Sequence, residues 1–166
     1  REAALLFEQV EEACRLSDGT TGALIHSLER GGSASSNLGD TTRSLEKFEH
    51  MQQLAREAGD PRREATAWLL LARERRRLQQ LDDAIAACEA ALERAAEASE
   101  PLYRGKALNA WGVVDFEAGR YEAAERRWEE ARDILEARSP AEAGDVMNNL
   151  AVLATVRGDL ERAWSS

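Results

Sequence analysis

The chain contains only three prolines, Pro61, Pro101 and Pro140, and they stand 40 and 39 residues apart. Each follows a polar residue (Asp60, Glu100, Ser139) and opens a stretch of helical sequence. Proline suits the first helical position, because the N–H it lacks has no partner there and its fixed φ already matches the helix. A helix start recurring at one interval means a chain built by repetition, which constrains the fold before any motif is consulted.

The composition agrees with a helical array. Ala, Leu, Glu and Arg dominate, no alternating runs of Val, Ile or Thr occur, and the apolar fraction of 43% is enough to build a core over 166 residues. The net charge of −9 argues against nucleic acid as a partner, since phosphate binding needs a basic face. No apolar run approaches the roughly 20 residues of a membrane helix, and no signal-peptide pattern opens the chain. Cys14 and Cys88 fall in helical pattern without a metal-ligand cluster, which suits a reducing cytoplasm. The sequence starts without Met inside an apolar-periodic segment, and the expectation is a piece of a larger protein.

The proline interval recurs elsewhere. Gly32, Ala72, Gly112 and Ala151 keep steps of 40, 40 and 39, as do Leu28, Trp68, Leu108 and Met147 one turn earlier. Ser44, Ala84, Ala124 and Ala163 follow in the next helix, with Phe48, Cys88 and Trp128 one turn beyond. Small residues let two helix axes approach, and large ones fill the space beside that contact. Gly39-Asp40-Thr41, Gly119-Arg120-Tyr121 and Gly158-Asp159-Leu160 read as tight turns, with Gln79-Gln80-Leu81 as a variant. Helices are predicted near 2–16, 21–38, 42–58, 61–78, 82–98, 101–118, 122–137, 140–157 and 160–164. The pattern predicts an all-α fold of antiparallel helix pairs, one array over 1–166 truncated at both ends. Its units are 1–20 (the second helix of a partial repeat), full repeats 21–60, 61–100 and 101–139, and a partial repeat 140–166. Ala3, Phe7 and Val10 place 1–16 in register with a second helix, and Trp164 either covers the last core or stays exposed.

Lys106 to Arg138 carries Leu108, Trp111, Gly112, the Gly119-Arg120-Tyr121 turn, Ala124, Trp128 and Ala131 at signature spacings, and on these residues the chain resembles the tetratricopeptide repeat family. The period of 40 exceeds the family's usual 34 and is similar to the long repeats of kinesin light chains and of bacterial signal-transduction NTPases and their regulators. Asn148-Asn149-Leu150-Ala151-Val152-Leu153 is in the light-chain style, while twenty Arg to two Lys hints at a bacterial source. The resemblance implies an α-solenoid wound as a right-handed superhelix, with the first helix of each pair lining a concave groove.

Combined with helical phase, the resemblance names groove candidates: His26, Arg30 and Ser33; Thr66, Leu70, Arg73 and Arg77; Lys106, Asn109, Ala110, Val113 and Glu117; Asp145, Asn148, Asn149 and Val152. The family's Asn at the position of Asn149 grips a bound peptide's backbone, since an amide donates and accepts at once. The bland alternative is that Asn148 or Asn149 bonds a neighbouring helix or faces solvent. Arg73 and Arg77 share a helix face and could pair on a ligand carboxylate, or simply meet neighbouring Glu. The carboxylate clamp of chaperone-binding members is not matched, because of its positions only Lys106 agrees. Gly31 and Gly32 within one helix imply either a loose helix or a close backbone approach, and loosening is the reading adopted.

His26 and His50 are not at metal-ligand spacing and no nucleophile motif occurs, so neither catalysis, a metal nor a cofactor is expected. Most of the Glu residues are expected on solvated outer faces, and Trp68, Trp111 and Trp128 in the core. The resulting expectation is a non-catalytic, cytoplasmic interaction module that binds a peptide or partner protein in its groove. The competing one is a ligand-sensing segment of a larger bacterial signalling NTPase or transcription regulator. Self-association through the truncated ends is a third.

Overall fold

The computed structural model describes residues 21–164, and their side chains as far as residue 158. Seven helices and no strand occur among the described residues: α1 (Thr21–Asn37), α2 (Thr41–Glu57), α3 (Pro61–Arg77), α4 (Leu81–Glu97), α5 (Pro101–Glu117), α6 (Tyr121–Leu135) and α7 (Pro140–Trp164). The expected helix at 2–16 and the environments of Cys14 and Trp164 lie outside the described residues or side chains.

A helix starts every 20 residues from Thr21 to Tyr121, half the interval that the prolines show. The cause lies in the turns. Gly39, Gly59, Gln79, Ser99 and Gly119 all have positive φ, between 53° and 80°. After each, the next N–H reaches the carbonyl five residues back: Asp40 to Ser35 (3.0 Å), Asp60 to Ala55 (2.9 Å), Gln80 to Arg75 (2.9 Å), Glu100 to Ala95 (3.2 Å) and Arg120 to Asp115 (2.8 Å). This left-handed cap satisfies carbonyls that a helix end leaves open. Asp40 and Asp60 then cap the following helices by accepting from the N–H of Arg43 (3.1 Å) and Arg63 (3.0 Å). Gln79 and Ser99 hide the 20-residue period from the eye, because they adopt the glycine conformation without being glycine.

Successive helices pack on one another, and α3 also touches α5 and α5 touches α7, as in a stack of helix pairs. Each pair is sealed by one register, a small residue of the first helix against a large one sixteen positions on. A Cβ on Gly32 would collide with the Phe48 ring, and one on Gly112 would lie 2.5 Å from Trp128 Nε1. Ala72 and Cys88 form the milder version inside the central core with Leu71 and Ala87. Phe48 and Trp128 are almost fully buried, and each such burial contributes about 1.5–3 kcal/mol. The buried cores run unit by unit: Ile25, Leu28 and Met51; then Phe48, Leu71 and Cys88; then Leu108, Trp128, Leu135, Val146 and Leu153.

Three expectations are corrected. The helix holding Gly31 and Gly32 is continuous, and both glycines are buried; Gly32 admits Phe48 and is not a point of loosening. The turn at Gly158-Asp159-Leu160 is absent, because α7 runs on to Trp164 and absorbs the helix expected at 160–164. Met147 (55% exposed) and Ala151 are exposed, where their counterparts Leu28, Leu108, Ala72 and Gly112 are buried, since no second helix folds back on α7 among the described residues. Glu64 and Glu74 are exceptions among the mostly solvated Glu residues, at 3% and 0% exposed, and Asp115 is 2% exposed.

Candidate functional site

The first helices of the pairs together form a cleft of about 630 Å³. Its walls come from α1 (Glu29), α3 (Arg62, Arg63, Thr66, Leu69, Leu70, Arg73, Arg76), α5 (Tyr103, Lys106, Ala110, Val113, Val114) and α7 (Glu142), with Met51 of α2 and Ala72 behind. On α3 the positions 63, 66, 70 and 73 lie exactly one 40-residue period before 103, 106, 110 and 113 on α5. Such 3- and 4-residue steps trace one stripe along a helix, so the repeat presents the same stripe twice, side by side. Leu69, Leu70 and Val113 are half-buried and make an apolar floor; the charged side chains stand around it.

Of the residues singled out in the sequence, Leu70, Arg73, Lys106 and Val113 line this cleft, with Thr66 and Ala110. Asn109, Asn148, Asn149, Arg77 and Val152 do not. The Asn149 amide donates to the Asn109 side-chain oxygen at 3.0 Å, linking α7 to α5, while Asn148 and Val152 are exposed. His26, Arg30 and Ser33 also fall outside the cleft. Arg62, Arg63, Arg76, Tyr103 and Glu142 were missed. Stepping the stripe of Thr66, Leu70 and Arg73 back by three residues reaches Arg63, and forward by one period from there Tyr103.

Arg73 and Arg77 have an acceptor already. Glu74 sits between them, fully buried; it accepts from Arg73 Nε at 3.0 Å and from the Ser36 hydroxyl at 2.8 Å, and lies 3.6 Å from Arg77 Nη1. Arg77 in turn donates to Ser36 at 2.6 Å. All three groups converge on the Glu74 Oε1, and through Ser36 it ties α3 to α1. Asp115 does the same within the α5–α6 pair: it accepts from Arg120 Nε at 2.7 Å and from Arg127, whose guanidinium lies 3.9 Å above the Trp111 ring. Glu64 accepts from Gln52 (2.7 Å) and Arg56 (3.0 Å) across the α2–α3 contact. These three carboxylates fall at different repeat positions, so periodicity gave no sign of them.

A second set of ion pairs crosses the cleft itself. Arg62 pairs with Glu100, the residue just before α5, and Arg76 with Glu117 at the end of α5, while Lys106 Nζ lies 2.6 Å from Glu142 Oε1, joining α5 to α7. Unlike Glu74, these carboxylates are 29–32% exposed. Elsewhere, burial pushes the Cys88 thiol up to about 12, which keeps it protonated and unreactive at neutral pH. Among the described residues no helix is long and apolar enough to cross a membrane, and no group of three or more His, Cys, Asp or Glu could hold a metal.

No protein-family model matches the chain, and no curated protein matches it in sequence. Solved structures do match in three dimensions. BtubC (BKLC) from P. vanneervenii superposes with a TM-score of 0.81 at 21% identity, over 98% of this chain and 68% of that one. A Rap protein complexed with Competence and Sporulation Factor gives 0.83 at 16% identity, over 98% of this chain but only 45% of Rap. The kinesin light chain TPR-like repeats of Podosopora anserina give 0.73 at 17% identity, covering 99% and 82%. The chain thus spans less than half the length of the Rap protein. At these identities the likeness is one of fold, and by fold the chain is an all-α, tetratricopeptide-like solenoid.

Proposed function

We propose that the chain is a non-catalytic interaction module that binds a peptide segment of a partner protein along the first-helix cleft. The observation that carries this reading is the duplicated stripe. Positions 63, 66, 70 and 73 and their counterparts 103, 106, 110 and 113 make two parallel rows with a half-buried apolar floor between them. An extended peptide places alternate side chains on such a floor, and flanking polar groups fix its direction. The volume of 630 Å³ suits a few peptide residues, not a whole domain. Rap, of the same fold, has been solved with Competence and Sporulation Factor bound, which supports ligand capture by this architecture. Proposed repeat units of 21–60, 61–100 and 101–139, with a partial unit from 140, place the cleft across the two central units.

Random nonapeptides displayed on phage test the reading when panned on the immobilised chain and counter-selected on a Leu70→Asp, Val113→Asp variant. The expected result is enriched peptides whose affinity drops about tenfold or more on the variant, as when an apolar contact of about 1.4 kcal/mol is lost. Enrichment of nothing, or of peptides that bind both proteins equally, overturns the assignment of the cleft.

A further inference from the structure

One groove of the repeat is filled by its own side chains, and the copy of it one period later is open. Residues of α2 and α4 converge on Glu64 near the start of α3. Glu64 is 3% exposed and accepts from Gln52 and Arg56, while Arg94 Nη1 lies 4.0 Å from its Oε2. Forty residues on, Ala96 stands for Arg56, Arg104 for Glu64, Ile134 for Arg94 and Leu92 for Gln52. The central carboxylate and the polar groups around it are gone. What remains is a groove of about 560 Å³ between the end of α4, the first turn of α5 and the end of α6, lined in part by Ala95, Ala96, Pro101 and Ile134. A guanidinium buried among these apolar groups would lack an anion, so Arg104 turns outward to Glu130, and the two are 59% and 45% exposed.

Three carboxylates line this groove, and each has a cation already. Glu100 pairs with Arg62, Glu130 with Arg104, and Asp133 with Arg132 through Nε (3.0 Å) and Nη2 (2.8 Å). Glu136, just beyond, is also shared with Arg132 at 3.9 Å. Arg138 lines the groove too, and its guanidinium has no hydrogen-bond or ion-pair partner among the described residues. The charge left over is a single cation beside an apolar floor.

We infer that this groove is a second binding site, for a small apolar monocarboxylate whose chain lies on Ala95, Ala96, Pro101 and Ile134 and whose carboxylate pairs with Arg138. Its volume is that of a small-molecule site, and it shares no lining residue with the first-helix cleft. The inference therefore stands apart from the peptide reading. Burial of the chain supplies most of the affinity, and the exposed ion pair sets the preferred sign of charge. A neutral analogue gains only the floor. A cationic one meets Arg138 with no carboxylate free to hold it.

Amide ¹H–¹⁵N spectra of the whole chain, titrated with octanoate, octanamide and octylamine, test this. Octanoate is expected to shift the amides of Ala96, Ile134 and Arg138 saturably, with a dissociation constant on the order of 1 mM. Octanamide is expected to bind about two- to fivefold more weakly, and octylamine more weakly still. Arg138→Gln is expected to bring octanoate down to the level of octanamide. The triple variant Ala96→Arg, Arg104→Glu, Ile134→Arg copies Arg56, Glu64 and Arg94, and is expected to fill the groove and abolish the response. Circular dichroism checks that both variants fold, and Arg138→Gln alone decides if the triple variant does not. No saturable shift by about 10 mM octanoate overturns the inference, as do shifts confined to other residues. So does octanamide or octylamine binding as tightly as octanoate, or an octanoate response that survives Arg138→Gln undiminished or persists in a folded triple variant.

Discussion

The two sides of the first helices are held together by different physics. On the side facing the second helices, the closest contacts are decided by shape, with the buried Glu64 and Asp115 as polar exceptions: a Cβ on Gly105 would lie 2.6 Å from Leu135 Cγ, and one on Gly112 would meet the Trp128 indole. On the cleft side the same helices are joined by ion pairs, such as Arg76 to Glu117 and Lys106 to Glu142, around a half-exposed floor. Close packing tolerates almost no change in volume, whereas a solvated ion pair is cheap to make and to exchange. One side therefore fixes the scaffold, and the other is free to carry recognition.

The sharpest way to break this division is to put a methyl group into the shape-limited side. Gly112→Ala pushes the Trp128 ring, which is 2% exposed and donates from Nε1 to the Asn109 carbonyl at 3.2 Å. Overpacking of this kind costs about 1–3 kcal/mol, and the lost hydrogen bond of a buried indole raises the expected total to about 2–4 kcal/mol. In a thermal melt that is a drop on the order of 4–16 °C for a chain of this size. Ala151 occupies the same register on α7 but is exposed, so Ala151→Leu is expected to leave the midpoint nearly unchanged. Equal midpoints for the two variants would show that the seam is not limited by shape.

The middle seam allows a constructive test. Ala72 and Cys88 stand where the flanking pairs have Gly32 with Phe48 and Gly112 with Trp128. Cys88→Phe alone forces a ring against the Ala72 methyl and is expected to cost about 1–3 kcal/mol. Adding Ala72→Gly copies the first pair and is expected to recover most of that loss, less the cost of about 1 kcal/mol for a glycine within a helix. Urea unfolding of the single and double variants measures the coupling. A double variant no better than Cys88→Phe would mean that the large residue is not accommodated by its small partner.

How far the sequence could be read follows the same line. Shape leaves a periodic trace, so the helix pairs and the small-to-large register were visible in Gly32, Gly112, Phe48 and Trp128. Even the misread glycine pair was legible in principle, since Phe48 stands sixteen residues after Gly32, as Trp128 does after Gly112. Polar links leave no such trace. Glu74 is buried because Ser36, Arg73 and Arg77 happen to converge on it, and its counterparts one period away, Ala34 and Val114, carry no charge. Of the cleft, Leu70, Arg73, Lys106 and Val113 followed from helical phase. Arg76 and Glu142 did not, because each depends on a partner from another unit. The turn at Gly158 was not legible either, since a glycine permits a helix end without requiring one, and the helix runs on to Trp164.

The smallest predicted effect is the most discriminating. Arg76 and Glu117 are 28% and 29% exposed and bridge α3 to α5 beside the cleft, which Arg76 lines. A double-mutant cycle with Arg76→Gln and Glu117→Gln is expected to give a coupling below about 1 kcal/mol in low salt. At 1 M salt the Debye length is only about 3 Å, so that coupling is expected to fall towards zero. The Gly112→Ala penalty contains no charge and is expected to persist at the same salt concentration. A coupling that survives 1 M salt would mean the cleft is braced by packing like the other side, and its carboxylates would then be scaffold, too firmly held to yield to a ligand. A coupling that vanishes while the seam penalty stands leaves the cleft side free to exchange partners at almost no cost to the fold.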